Sequence, residues 1–186
     1  MRILPRHLLL LAALPGMAAA ATPNYDLLEG LGYQTNSGNG RALGVQLNGS
    51  YFIGDGWFAE ASASELHNGD VPGGLDADRE FAGLGYRAQF RLTDVFLSVD
   101  GVRVHQDAGG LSKTGDGYRW VWGLRSAVSD ALELNFGIEK SNVGEDHLGV
   151  RIGESWGFTD ALSLRAQYVH FTDAHSWVLG LRYYYH

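Results

Sequence analysis

Residues 82–96 read Ala82-Gly83-Leu84-Gly85-Tyr86-Arg87-Ala88-Gln89-Phe90-Arg91-Leu92-Thr93-Asp94-Val95-Phe96. Apolar side chains take every second position from Ala82 to Leu92, with glycine, arginine and glutamine between them. Successive side chains of a strand point to opposite faces, so a period of two marks a strand with one apolar and one polar face. Thr93-Asp94 then breaks the alternation. Aspartate in a short connection bonds its own backbone and suits tight turns, so the stretch is predicted to be a strand, a hairpin turn and the start of the returning strand.

The same unit repeats along the chain. Upstream, Leu43, Val45, Leu47, Gly49, Tyr51 and Ile53 share one face, with Gly44, Gln46, Asn48 and Ser50 on the other. Downstream, Tyr118, Trp120, Trp122 and Leu124 oppose Arg119, Gly123 and Arg125, and Leu132, Leu134, Phe136 and Ile138 oppose Glu133, Asn135, Gly137 and Glu139. Leu162, Leu164, Ala166 and Tyr168 oppose Ser163, Arg165 and Gln167, and Trp177, Leu179, Leu181, Tyr183 and Tyr185 oppose Gly180 and Arg182. The turn recurs as Ile53-Gly54-Asp55-Gly56-Trp57, Val128-Ser129-Asp130-Ala131-Leu132 and Phe158-Thr159-Asp160-Ala161-Leu162. Longer polar segments at 36–40, 67–78, 106–116, 141–145 and 172–175 alternate with these turns and are expected to be loops.

This pattern yields ten strands, near 25–35, 41–53, 57–66, 79–92, 95–105, 117–128, 131–140, 146–158, 161–171 and 176–185. Most have about the 9–11 residues that a tilted strand needs to cross a bilayer. Two strands are ambiguous, which leaves eight as an alternative. In the first, Leu27, Leu31 and Tyr33 share a face with Glu29, while Leu28, Gly30 and Gly32 share the other. In the eighth, strict alternation places Glu154 with Leu148, Val150, Ile152 and Trp156. A bulge near Gly153 is expected to return Glu154 to the polar face.

The 186 residues suit one domain. Without cysteine there is no disulfide scaffold, thiol nucleophile or zinc–cysteine site. The 14 basic residues face 21 acidic ones, the net charge is −7 and no basic run occurs, so no nucleic-acid partner is expected. Arg2 and Arg6 precede the apolar run Leu8–Leu14, which Pro15-Gly16 ends before Ala18-Ala19-Ala20-Ala21. That order of basic, apolar and small residues is a secretory signal, so residues 1–21 are expected to be a cleaved signal peptide and 22–186 the folded domain. No later segment approaches the 18 apolar residues of a spanning helix.

Period two does not say which face is the interior. A soluble calycin-like barrel is apolar inside, and a membrane barrel is the reverse. Three features favour the membrane arrangement. Aromatics cluster near strand ends: Trp57, Phe90, Trp156, Phe158, Tyr183 and Tyr185 towards the tight turns, Tyr118, Trp120, Tyr168 and Trp177 towards the loops. Such residues settle at the headgroup level. The polar face carries Arg87, Arg91, Arg119, Arg125, Arg151, Arg165 and Arg182 against Glu29, Glu60, Asp100, Glu133 and Glu139, charges that can pair across a narrow lumen. Lysine, usual on soluble surfaces, is confined to Lys113 and Lys140. Finally, the chain ends on a strand of alternating aromatics.

The sequence thus resembles the small outer-membrane β-barrels of the OmpA and OmpX type along essentially its whole length. The most specific part is Gly180-Leu181-Arg182-Tyr183-Tyr184-Tyr185, which resembles the signal read by the barrel-assembly machinery on a last strand. It marks Gly180, Tyr183 and Tyr185 as the assembly residues; His186 follows where the family pattern ends on the aromatic. The resemblance implies an all-β, antiparallel, up-and-down transmembrane barrel in the bacterial outer membrane, in contact with lipid and lipopolysaccharide, and a monomer without cofactor.

Function lies in lumen and loops, not in the fold. The lumen charges are expected to form ion-pair ladders that fill a narrow barrel. His67, His105, His147, His170 and His175 lie in or beside the longer segments with Asp70, Asp76, Asp78, Asp107, Asp116, Glu145, Asp146 and Asp173. No tight histidine spacing occurs, so no specific metal site is expected. Some barrels of this class modify lipid A, and Ser141-Asn142 with Glu145 faintly resembles the deacylase type. That type needs a histidine two residues before the serine, where this chain has Glu139, and no catalytic residue is assigned. The expected role is structural or surface interaction through short acidic outer loops. The alternatives are a narrow channel or porin, a lipid A-modifying enzyme and a soluble periplasmic barrel. Deleting Tyr183–His186 is expected to cripple assembly, read as loss of the heat-resistant folded band and of surface display.

Overall fold

A computed structural model describes residues 24–38, 40–143 and 147–185. The expected signal peptide, His186, Glu145 and Asp146 lie outside them. Ten strands follow in order: β1 (Leu27–Ser37), β2 (Gly40–Gly54), β3 (Trp57–Asn68), β4 (Leu75–Phe90), β5 (Thr93–Ala108), β6 (Leu111–Ser129), β7 (Leu132–Ser141), β8 (His147–Gly157), β9 (Leu162–Phe171) and β10 (Ala174–Tyr184). Each pairs antiparallel with the next, and β1 pairs with β10 from Leu27↔Tyr184 to Ser37↔Ala174, so the sheet is a closed barrel. The strand count is therefore the ten of the sequence pattern.

The alternation resolves which face is inside. Leu47 on β2 is 61% exposed, while Asp100 on β5 is 1% exposed. Leu43, Val45, Leu84, Val150, Ile152, Leu179 and Leu181 are likewise exposed, and Glu29, Asp94, Arg119, Arg125, Glu139 and Arg182 are buried. Apolar outside and charged inside is stable only where the surroundings are hydrocarbon. Aromatics border the outer band. Trp57 and Tyr86 meet edge to face at 5.3 Å near the tight turns, and Tyr168 and Trp177 pack at 4.8 Å nearer the other end.

The tight turns are two residues long where the strand twist demands it. Asp55 and Gly56 both have positive φ, 52° and 88°, as a two-residue hairpin of matching twist requires. The ladders slip once beside two of these turns, between Phe52 and Gly54 and between Ala127 and Ser129.

Four sequence expectations change. Strand 1 is settled by its neighbours: Leu27, Glu29, Leu31 and Tyr33 line the lumen, and Leu28, Gly30 and Gly32 face outward. No bulge forms at Gly153. The β7–β8 ladder runs unbroken through Leu134↔Glu154 and the β8–β9 ladder through Glu154↔Ala166, so Glu154 stays on the outer face. It lies two residues from Trp156, near the interface, where a carboxylate is tolerated. Arg91 is not a lumen charge. It sits exposed in the β4–β5 turn with φ 58°, because the hairpin closes one pleat earlier than the alternation suggests.

Finally, the expected loops 67–78 and 106–116 are largely strand. The six residues 69–74 join β3 to β4, and Gly109-Gly110 alone, at φ 56° and 84°, join β5 to β6. The β5–β6 ladder continues to Ala108↔Leu111, whereas β7 begins to pair with β6 only at Arg119↔Ser141. The β5–β6 hairpin therefore stands beyond β7 as a projecting sheet rather than a set of loops.

Leu134 is 44% exposed on the outer face. Leu134 pairs with Glu154 two residues inside β7, so Leu134→Arg is expected to cost only about 0–1 kcal/mol, the range for an arginine towards the interface. Urea unfolding in lipid vesicles measures it, and a cost of several kcal/mol would mean that this position lies deeper in the bilayer.

Candidate functional site

Inside the barrel every described strand but β2 carries charges, and those of any one strand share a sign. Acids stand on β1 (Glu29), β3 (Glu60), β5 (Asp94, Asp100) and β7 (Glu133, Glu139). Arginines stand on β4 (Arg79, Arg87), β6 (Arg119, Arg125), β8 (Arg151), β9 (Arg165) and β10 (Arg182). The inner face of β2 is neutral, with Gln46 and Asn48. Opposite charges on neighbouring strands attract, so this arrangement supports register as well as filling the lumen.

Two networks result. In one, Arg119 reaches Asp100 at 2.7 Å, Glu60 at 3.5 Å and Glu139 at 3.7 Å, and Arg79 reaches Glu139 at 3.3 Å. In the other, nearer the tight turns, Glu29 accepts from Arg165 at 2.6 Å and Arg182 at 2.5 Å, and Glu133 binds Arg125 at 2.8 Å and Arg182 at 3.0 Å. Arg79–Glu139 and Arg182–Glu133 join strands that are not neighbours, so these pairs cross the interior as chords. Arg87 and Asp94 pair separately at 2.9 Å.

Below the second network lies an aromatic floor. Residues 24–26 precede β1 and turn inward, and the Tyr25 ring is buried 4.5 Å from Phe58 and 6.3 Å from Phe96. The guanidiniums of Arg125 and Arg87 stand 4.6 and 5.0 Å from its centre, and Arg125 donates to the Asn24 carbonyl at 3.1 Å. The Tyr25 carbonyl accepts from the Ser50 hydroxyl. A cavity of about 660 Å³ occupies the remaining interior, with Tyr25 at one end and Lys113, His147 and Asp173 at the other.

Of the charges expected in the lumen, all but Arg91 line it or are buried against it. Arg79 and Asp94 join them and were missed. Arg79 borders an expected loop and Asp94 has the chemistry of a turn residue, although Asp94, Phe96 and Ser98 already show the inward period. Of the assembly residues, Gly180 faces inward, Tyr183 faces outward, and Tyr185 lies just past β10, its hydroxyl donating to the Ser50 carbonyl at 2.6 Å.

The histidines do not converge. His67 Nδ1 meets Asp76 at 2.6 Å, and His105 lies 2.9 Å from Thr114 and 3.2 Å from Asp107, all on the outer face of the projecting sheet. His170 and His175 are cross-strand partners on another side. Ser141 and His147 are also register partners, at the loop end of the lumen. Among the described residues no hydrogen bond joins them, so the fold brings this serine and histidine close without building a nucleophile–base pair.

Glu133 holds Arg125 and Arg182 together. Glu133→Gln is expected to cost about 3–5 kcal/mol, because it leaves two buried guanidiniums short of a counter-charge. Unfolding in lipid vesicles measures it.

No protein-family model matches the chain, and no curated protein matches it. Solved structures do. The NanC porin aligns with a TM-score of 0.53 at 10% identity, covering 85% of this chain and 100% of that one. The KdgM porin aligns at 0.52 and 8% identity, covering 86% and 99%. The outer membrane protein OprG of Pseudomonas aeruginosa aligns at 0.51 and 10% identity, covering 91% and 100%. These likenesses are of fold: a closed antiparallel barrel of the bacterial outer-membrane kind.

Proposed function

We propose that this outer-membrane barrel is closed at rest and acts by structural or surface interaction, its working surface being the projecting sheet of β3 to β6. The observation that carries this reading is the filling of the lumen: chord ion pairs at two levels above a floor built on Tyr25. Paired guanidiniums and carboxylates packed on aromatic rings narrow the path for water and small ions. The projecting sheet, by contrast, offers Glu65, Asp76, Asp78, Glu80 and Asp116 on its outer face, with Arg103 bound to Asp116 at 2.8 Å. This acidic face takes the place of the acidic loops expected from the sequence.

In this reading the apolar band contacts outer-membrane lipid and lipopolysaccharide. The barrel is a monomer, the barrel-assembly machinery is its partner during insertion, and it has no catalytic role and binds no nucleic acid. A second reading, a narrow channel, is favoured by the cavity of about 660 Å³ and by the fold shared with the two porins. Planar-bilayer recording separates the two. Insertion without discrete current steps is the expected result. Reproducible steps in the unmodified protein would overturn the closed reading in favour of the channel.

A further inference from the structure

The inward charges of the described strands do not cancel. Seven arginines, and Lys113 at the loop end, face six carboxylates, and Arg151 is the guanidinium left over. Every other inward arginine has a carboxylate within 4 Å. Among the described residues Arg151 has none. Its nearest acid by register is Glu139 on the adjoining strand, already shared by Arg79 and Arg119. The cause lies in the order of the strands. Acid and arginine strands alternate from β3 to β8, but β8, β9 and β10 carry arginine in succession, so Arg151 has arginine, not acid, on one side.

The wall around Arg151 also carries buried polar atoms without partners. Asn135, one ladder step away on β7 and only 8% exposed, has no hydrogen-bond partner for either its Nδ2 or its Oδ1. Arg165 Nε on β9 is likewise without a partner. Gly137 and Gly153 flank Arg151 on this wall and leave it room. The Arg151 Nε lies 2.6 Å from where a Gly137 Cβ would stand, and Asn135 Oδ1 lies 2.9 Å from a Cβ at Gly153. Arg151, Asn135 and Arg165 all line the same cavity.

An uncompensated guanidinium in a confined interior is costly, and a planar fork of N–H donors matches the oxygens of an oxyanion. We propose that the wall formed by β7, β8 and β9 binds a small oxyanion, with Arg151 as its counter-charge and the Asn135 amide as a neutral donor. The site neutralises the lumen whether or not the barrel conducts, so it stands independently of the closed reading.

The test is calorimetric titration of inorganic phosphate into the full barrel purified from membranes in detergent, with chloride at matched ionic strength as the control. Saturable binding of one phosphate per barrel, stronger than chloride, is expected. Arg151→Gln should weaken it roughly tenfold or more, with the folded band retained on heat-modifiable gels. Asn135→Leu, which keeps the charge, should weaken it less. If Arg151→Gln does not fold, Arg151→Lys and Asn135→Leu carry the test, and wild-type affinity in both overturns the site. Absence of saturable phosphate binding, an equal response to chloride, or unchanged binding in a folded Arg151→Gln barrel also overturns it.

Discussion

Closure of β1 onto β10 is the contact on which the rest of this molecule depends. Hydrocarbon offers no partner to a backbone N–H or carbonyl, so a sheet survives there only if its first and last strands satisfy each other. The register from Leu27↔Tyr184 to Ser37↔Ala174 does this for β1 and β10. Closure also assigns the faces. With alternation already written into the strands, bending the sheet one way exposes Leu47, Ile152 and Leu181 to lipid and forces Glu29, Asp100 and Arg182 inward.

Once inside, those charges must find one another. The single-sign strands turn ordinary cross-strand pairing into a ladder of opposite charges, and Glu133 and Glu139 extend it across the lumen to strands that are not their neighbours. The floor uses the same cations differently. Arg87 and Arg125 each hold a carboxylate while placing a guanidinium near the Tyr25 ring, so one side chain serves both charge balance and packing. Interior charge here is structural material. Where its count fails to balance, at Arg151, the interior becomes chemically interesting.

Individual residues mark where sequence reading was sufficient and where it was not. Leu134, Leu179 and Asp100 were placed correctly by parity alone, since a period of two needs no knowledge of neighbours. Arg91 shares that parity and was misplaced, because a turn ends the alternation and only the backbone reveals at which residue. Asp94 was misread for the converse reason: an aspartate beside a turn has the chemistry of both a turn and an inward strand position. Glu154 was expected to need a bulge, yet the neighbouring ladders hold β8 in straight register and leave it at the outer face. The segments at 67–78 and 106–116 read as loops because they are polar, but a sheet projecting beyond the membrane can be polar on both faces and still be strand.

What the sequence determined by itself was the alternation: all-β class, a pattern of ten strands with eight left open, the positions of the tight turns and the identity of most lumen charges. These are local properties, carried by parity and turn chemistry. The tertiary structure decided which charges meet, that Tyr25 ahead of β1 completes a floor with Phe58 and Phe96, how far β5 and β6 project, and that Arg151 is left without a carboxylate partner among the described residues. Those outcomes depend on which strands stand opposite one another and at what height. That is a property of the closed barrel, and no single strand contains it.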